Sequence, residues 1–358
     1  MSTRPETRDP DREFRRPTER RPTAETDREF RLSACATEHR TTRTRIPEAD
    51  RACAPARLLR CPRPVTAPRQ ILPGTTYLVT RRCAQRQLLL RPSRTTNDIF
   101  LYLLAMAAER YGVEVHAFCV LSNHFHAIVT DRDAQLPAFH QFLDALLARA
   151  LNASLGRWEA FWAPNSYSAV MLVLPDDIVD NAAYVLANPT AAGLVRTGRL
   201  WPGLWSAPER VGGEAFEIRR PKHFFDANGL LLERARLQLT PPPGFTAEAF
   251  RERLEARLAE REAIAVKEHG GRFLGAVRVM AQKPTARPKP GEPRRALSPR
   301  VASRDKWKRI EVLGRLKEFL SRYRAALADR CAGKVDAVFP RGTYLLRVAH
   351  GVPCEGFG

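Results

Sequence analysis

The chain lacks long apolar runs and paired cysteine motifs. No segment approaches the eighteen or so uninterrupted apolar residues of a membrane-spanning helix, so none is predicted. The start, Met1-Ser2-Thr3-Arg4, has no apolar core of a secretory signal. The seven cysteines include no Cys-x-x-Cys pair, and their number is odd. This pattern excludes a zinc ribbon and a disulfide framework, and we expect reduced thiols in a cytosolic protein.

Acidic residues are in short supply. The 358 residues include 59 Lys and Arg against 39 Asp and Glu, which gives a formal net charge of +20. A chain this basic indicates a polyanionic partner, and nucleic acid is the leading candidate. An anionic membrane surface is the second, but neither terminus carries a long basic amphipathic helix with a Trp, Phe or Leu face.

The composition divides the chain into four stretches. Residues 1–69 are rich in Arg, Thr, Pro, Glu and Asp, and we expect them to be disordered because they have too little apolar surface to offset the entropy of ordering. Residues 70–215 form the predicted main domain. Residues 216–300 hold a predicted exposed charged helix at 240–269 and a linker rich in Pro and Arg. Residues 301–358 form a small, mostly helical module.

The main domain alternates between β-type and helical patterns. Strands are predicted at 75–81, 113–121, 124–130 and 169–173, and helices at 97–111, 137–155 and from Asp176 or Asp177 towards Asn188-Pro189. The order is strand, helix, strand, strand, helix, strand, helix. It predicts an α+β fold, a ferredoxin-like antiparallel sheet with helices on one face and an extra helix laid on the sheet.

Asn123-His124-Phe125-His126 opens the third predicted strand. Successive side chains of a strand point to opposite faces, so the two histidines share a face and Phe125 points the other way. Two imidazoles on a rigid element are half of a site for a divalent metal. The alternative is a pair of histidines on the polar face of a half-buried strand.

Tyr184 and Asn188 lie four residues apart on the last predicted helix, hence on one helical face. If that face packs beside the histidines, a carbonyl oxygen becomes a third ligand and a tyrosine hydroxyl stands next to a Mg²⁺ or Mn²⁺ site. Such a site suits phosphodiester cleavage with tyrosine as nucleophile. The alternatives are a core role for Tyr184, a helix-capping role for Asn188, and Tyr167 as a rival nucleophile.

Several other residues have two readings. His116 is expected to be structural, although it could neighbour the site, and His140 is expected at the surface or in the core of its helix. Core packing is favoured over stacking on unpaired bases for Trp158, Phe161 and Trp162. The basic helix at 303–328, which Ser303 is expected to cap, either contacts a DNA backbone or is a solvated face.

Three segments together resemble the single-tyrosine HUH transposases, and among them the REP-associated tyrosine transposases. They are Leu-Ser-Asn-His-Phe-His-Ala-Ile-Val at 121–129, Tyr-Val-Leu-Ala-Asn-Pro-Thr-Ala-Ala-Gly-Leu-Val at 184–195, and Trp201-Pro202. HUH stands for His, hydrophobe, His. In that family the nucleophilic tyrosine lies four residues before a polar metal ligand, a spacing that Tyr184 and Asn188 match.

The resemblance implies a function as well as a fold. It implies Mg²⁺ or Mn²⁺ bound by His124, His126 and Asn188, and cleavage and joining of single-stranded or hairpin DNA through a 5′-phosphotyrosine on Tyr184. It also implies a bacterial, nucleoid-associated protein in the cytoplasm. Both a monomer and a homodimer are compatible with the resemblance. The stretch Thr190-Ala191-Ala192, where the family often has a basic residue, departs from the pattern, as do the two ends of the chain. A domesticated, non-catalytic protein that binds single-stranded DNA or RNA, and a metal phosphodiesterase using water, are the alternatives.

Overall fold

The computed structural model describes most of the chain beyond the Arg-rich N-terminal segment. The described residues are 67–164, 167–222, 224–226, 228–229, 231–288 and 299–356. The expectation of disorder for residues 1–69 therefore falls almost wholly outside them.

The first half of the described chain contains four strands and three helices, in the predicted order. They are β1 (Thr75–Arg82), α1 (Arg94–Tyr111), β2 (Val113–Leu121), β3 (His124–Asp131), α2 (Leu136–Ser154), β4 (Ser168–Leu172) and α3 (Pro175–Ala191). The remainder forms β5 (Phe216–Arg219), β6 (Arg234–Leu237), α4 (Ala247–Glu268), α5 (Ala276–Ala281), β7 (Val301–Ala302), α6 (Lys306–Cys331) and α7 (Leu345–His350).

Local hydrogen bonds explain where the helices start and stop. Helix α1 begins earlier than predicted because the Ser93 hydroxyl accepts a bond from the Thr96 amide at 3.1 Å, and it ends at Gly112, which adopts φ 61°. At the start of α3, the Asp177 carboxylate accepts a bond from the Leu174 amide at 3.0 Å. Helix α3 continues through Pro189, past its predicted end.

The main sheet confirms the ferredoxin-like plan. Its strand order is β2-β3-β1-β4-β7, and the first four strands pair antiparallel. The prediction of a purely antiparallel sheet needs one correction, because β7 pairs with β4 in parallel and makes the sheet mixed. A two-residue strand carries too little pattern to be recognised in the sequence.

Helices cover both faces of the sheet rather than one. Phe125 points towards α1, where its ring centroid is 5.1 Å from that of Phe100, whereas His126 on the other face meets Tyr184 of α3. Every residue of β3 from Phe125 to Asp131 is buried. Because neighbouring residues alternate between faces, both faces must be covered.

Helix α4 departs from the prediction of an exposed charged helix at 240–269. The helix forms, but it packs against α3 and buries Phe250, Leu254 and Leu258. These residues repeat every four positions, which sets them in one stripe along the helix. The many charged residues around this apolar stripe give the segment a polar composition, and that composition led to the prediction of an exposed helix. The division of the chain into four stretches stays a prediction.

The C-terminal residues enclose a second, smaller core. Its buried members are Ala326, Phe339, Leu346, Val352 and Cys354. Helix α6 begins at Lys306, and its N-terminal cap is Asp305, whose carboxylate accepts a bond from the Trp307 amide at 2.8 Å. The expected cap, Ser303, lies two residues earlier.

Two sequence-based expectations about thiols and membrane spans can be compared with the structure. Cys83, Cys119 and Cys354 are free, as expected, and they are buried. Cys331 is disulfide-bonded and departs from the expectation of reduced thiols. Among the described residues, no helix has the length and apolar character needed to cross a membrane.

Candidate active site

The two histidines lie at the start of β3, directly after the turn at Ser122-Asn123. The ring centroids of His124 and His126 are 4.8 Å apart, and the rings are nearly perpendicular, at 88°. Strand alternation therefore brings them together on one face, as predicted. His126 is buried and His124 is partly accessible.

One ring nitrogen of each histidine is held by a neighbour. His124 Nδ1 lies 2.6 Å from Asn123 Oδ1, while Asn123 Nδ2 donates to the Arg86 carbonyl at 3.4 Å. An amide oxygen only accepts, so His124 Nδ1 carries the proton and Nε2 of the neutral ring keeps its lone pair. His126 Nδ1 lies 2.7 Å from Oγ1 of Thr80, its direct partner across β1 and β3.

Both rings are held in the neutral form. Burial, followed by the positive charges of Arg82 and Arg86, lowers the pKa of His124 to about 4. Burial, followed by the charge of His124, lowers the pKa of His126 well below its usual value. Neutral imidazole is the form that binds a metal. Arg82 and Arg86 are exposed beside His124, where they add positive charge that suits a phosphate.

Helix α3 brings Tyr184 to the histidines. The helix packs against β2 and β3, and the Tyr184 ring centroid lies 5.7 Å from that of His126. Tyr184 is 41% exposed, in a core helix whose neighbouring residues Val185 and Leu186 are fully buried. A core role for Tyr184 does not fit this exposure, and its ring is open to an incoming strand.

Asn188 lies one turn beyond Tyr184 on α3. It does not end the helix, because α3 continues to Ala191 and the Asn188 carbonyl accepts a bond from the Ala192 amide at 2.9 Å. Its side-chain Nδ2 is buried without a hydrogen-bond partner among the described residues. The side chain is therefore not used for capping.

Tyr167 lies on the other face of the sheet. Its ring stacks on His140 of α2 at a centroid distance of 3.7 Å, and it is 8% exposed. Burial raises the pKa of its hydroxyl. Since His140 also stacks beside Phe125, which points away from the histidine pair, the structure does not bring Tyr167 to the candidate site.

The residues present limit the kind of metal site that can form. Among the described residues, no three His, Cys, Asp or Glu side chains are grouped to hold a metal. The candidate donors are the Nε2 atoms of His124 and His126 and the Asn188 amide oxygen. Two nitrogens and one oxygen fit Mn²⁺ better than Mg²⁺, which prefers oxygen ligands. Such a set leaves positions open to water and phosphate oxygens.

The remaining candidates from the sequence are mostly structural. His116 is confirmed as structural, because its ring bonds to the Thr240 carbonyl and to Thr130 Oγ1, each at 2.8 Å. His140 is in the core. Phe161 and Trp162 are buried as expected, but Trp158 is 79% exposed.

Sequence reasoning missed the residues that orient the imidazoles and those that add charge. Asn123 and Arg86 meet because the β2–β3 turn lies beside the turn after β1. This proximity of two turns is not visible in the sequence. Thr80 is identified by the register of β1 with β3. Side chains alternate between the two faces along β1, so Thr76 and Thr80 share one face, which is the face of the histidines. The residue of β3 that lies opposite Thr80 depends on the register of the two strands, which local sequence does not determine.

Comparison with known proteins gives two transposase structures. No protein-family model and no curated protein matches the chain. A structure of a REP-associated tyrosine transposase bound to a REP hairpin is 20% identical, over 38% of this chain and 80% of that one, with a TM-score of 0.33. A putative transposase from Deinococcus radiodurans R1 is 18% identical, over 29% of this chain and 84% of that one, with a TM-score of 0.24. Likeness this limited carries no argument, so the fold class rests on the strand order.

Proposed function

We propose that the chain is a metal-dependent transposase that cleaves and rejoins single-stranded DNA, at hairpin-forming repeats, through a tyrosine nucleophile. The observation that carries the proposal is the grouping of His124, His126 and the exposed Tyr184 on one face of the sheet. The order and spacing of the three HUH-like segments support it. A homodimer stays a prediction.

Tyr184 is the proposed nucleophile. Its hydroxyl oxygen forms a bond to phosphorus, the bond from phosphorus to the 3′ oxygen breaks, and the tyrosine proton passes to solvent, to which the ring is open. The 3′ oxygen takes up a proton and leaves as a 3′-OH. The 5′-phosphate stays on Tyr184. Attack by another 3′-OH reverses the step and joins a new strand, so no further energy source is needed.

The histidine pair and Asn188 would hold Mg²⁺ or Mn²⁺. When bound, the ion would polarise a phosphate oxygen and offset developing negative charge. Thr80 and Asn123 fix the orientation of the imidazoles, and partners of this kind tune metal affinity. Arg82 and Arg86 would add positive charge next to the phosphate.

A non-catalytic protein that binds single-stranded DNA or RNA is the second candidate, and the net charge of +20 favours it equally. The geometry at Tyr184 supports the transposase over this second candidate. A binding protein has no need for an exposed tyrosine ring against a neutral histidine pair. A phosphodiesterase using water would cleave DNA without any covalent adduct.

The test is adduct formation on DNA. Labelled hairpins flanked by randomised single strands, with Mn²⁺, should give an SDS-resistant protein–DNA adduct. Tyr184→Phe should abolish it, because the ring and its packing stay while the attacking oxygen is lost. The matched control, Tyr167→Phe, should keep the adduct. Loss in Tyr167→Phe with retention in Tyr184→Phe would contradict the assignment.

A further inference from the structure

A second positively charged feature lies at the far edge of the sheet. A crevice of about 110 Å³ separates β1, β4 and β7 from helix α6. Three guanidinium side chains line it, those of Arg69, Arg300 and Arg315, and none of its described lining residues is Asp or Glu. It faces the side of the sheet that carries Tyr77 rather than the histidine side.

Arg300 is held in place and still has a donor to offer. Its carbonyl accepts a bond from the Met171 amide of β4 at 2.9 Å, and Nη2 donates to the Ala67 carbonyl at 3.1 Å. Its Nη1 is buried without a hydrogen-bond partner among the described residues. A buried donor of a charged group costs free energy until it meets an acceptor.

The other two guanidiniums add positive potential. Arg69 lies 4.3 Å from the Tyr167 ring centroid, and its charge, after burial, lowers the pKa of Arg300. Arg315 pairs with Glu311 at the exposed surface of α6. An anion between Arg69 and Arg300 would relieve their mutual repulsion.

We propose that this crevice binds a backbone phosphate of single-stranded DNA, as a second contact outside the histidine–tyrosine site. Guanidinium forks suit phosphate oxygens. Apolar side chains also line the crevice, among them Ile71, Leu72 and Leu316, and they suit the sugar or base attached to that phosphate.

The proposal deepens the proposed function and rests on it for the identity of the ligand. Arg300 directly precedes β7, which lies three strand positions from the histidine strand β3, or about 14 Å across the sheet. It would therefore hold a part of the strand away from the cleaved bond, and Arg300 would contribute to binding but not to the chemical step.

The test compares Arg300→Gln with Arg94→Gln, a matched loss of one charge at an arginine that is 96% exposed. Binding of a labelled single-stranded oligonucleotide is measured across a salt series. Arg300→Gln should weaken binding roughly tenfold at low salt and flatten the salt slope by about 0.7, as expected for one lost phosphate contact. Arg94→Gln should leave the slope unchanged.

Arg300→Lys is the control for misfolding, because lysine keeps the positive charge but lacks the forked donor of arginine. It should retain the wild-type salt slope with a smaller loss of affinity. At saturating DNA, the adduct yield of Arg300→Gln should equal that of wild type, which separates this inference from the role of Tyr184. An unchanged slope in Arg300→Gln would overturn the proposal. It would also be overturned if pyrophosphate stabilised the wild-type protein against unfolding but not Arg300→Gln, while both proteins bound DNA equally.

Discussion

Replacement of Thr80 by valine tests how the metal site is built. The substitution keeps the shape of the side chain and removes the hydroxyl that lies 2.7 Å from His126 Nδ1. His126 then loses the partner that fixes the orientation of its ring. Loss of such a partner lowers metal affinity by about 10- to 100-fold, or about 1.4 to 2.7 kcal/mol.

The same substitution at Thr76 is the matched control. Thr76 lies on the same strand and the same face, and its hydroxyl pairs with that of Thr130 at 2.8 Å, away from the histidine pair. Each valine variant should lose about 1 kcal/mol of folding stability with its hydrogen bond. Only Thr80→Val should lose Mn²⁺ affinity.

Isothermal titration calorimetry with Mn²⁺, together with thermal unfolding, measures both quantities. Wild-type affinity in Thr80→Val would refute the reasoning. An equal loss of affinity in Thr76→Val would also refute it, because the effect would then follow general destabilisation rather than the contact with His126.

Two further predictions concern the histidines. Replacing His124 and His126 together by alanine should abolish adduct formation yet leave DNA affinity largely intact, since affinity comes from contacts of Lys and Arg with phosphates; equal loss of both in gel-shift and adduct assays would favour a structural role. Burial lowers the pKa of His116 to about 4, below the usual 6.5, so the unfolded chain binds the extra proton first. The free energy of unfolding should therefore fall as pH drops from about 6.5 to about 4, by about 3 kcal/mol from this group, and urea titrations should show a shallower fall in His116→Gln.

Short-range spacing explains why the placement of the candidate side chains within each element could be predicted. Strand alternation is enough to put His124 and His126 on one face, and the four-residue spacing is enough to align Tyr184 with Asn188 on one side of α3. Both relations hold within a single element. The order of elements, with a tight turn between β2 and β3, was likewise sufficient for the ferredoxin-like strand order.

Long-range packing explains what was missed. Thr80 meets His126 through the register of two strands that are separated by a helix and a third strand. The apolar stripe of α4, at Phe250, Leu254 and Leu258, is diluted by charged residues, and only its contact with α3 shows that it is buried. The Arg300 crevice depends on β7 joining the sheet from more than a hundred residues beyond β4.

The most direct test of the central claim is mass spectrometry of the protein–DNA adduct. Trypsin leaves Tyr167 and Tyr184 in one peptide, because no Lys or Arg lies between positions 158 and 195, so fragment ions must locate the nucleotide. After nuclease treatment, a 5′-phosphonucleotide on Tyr184 is the result we predict. A nucleotide on Tyr167, or cleaved DNA with no modified tyrosine, would contradict the account.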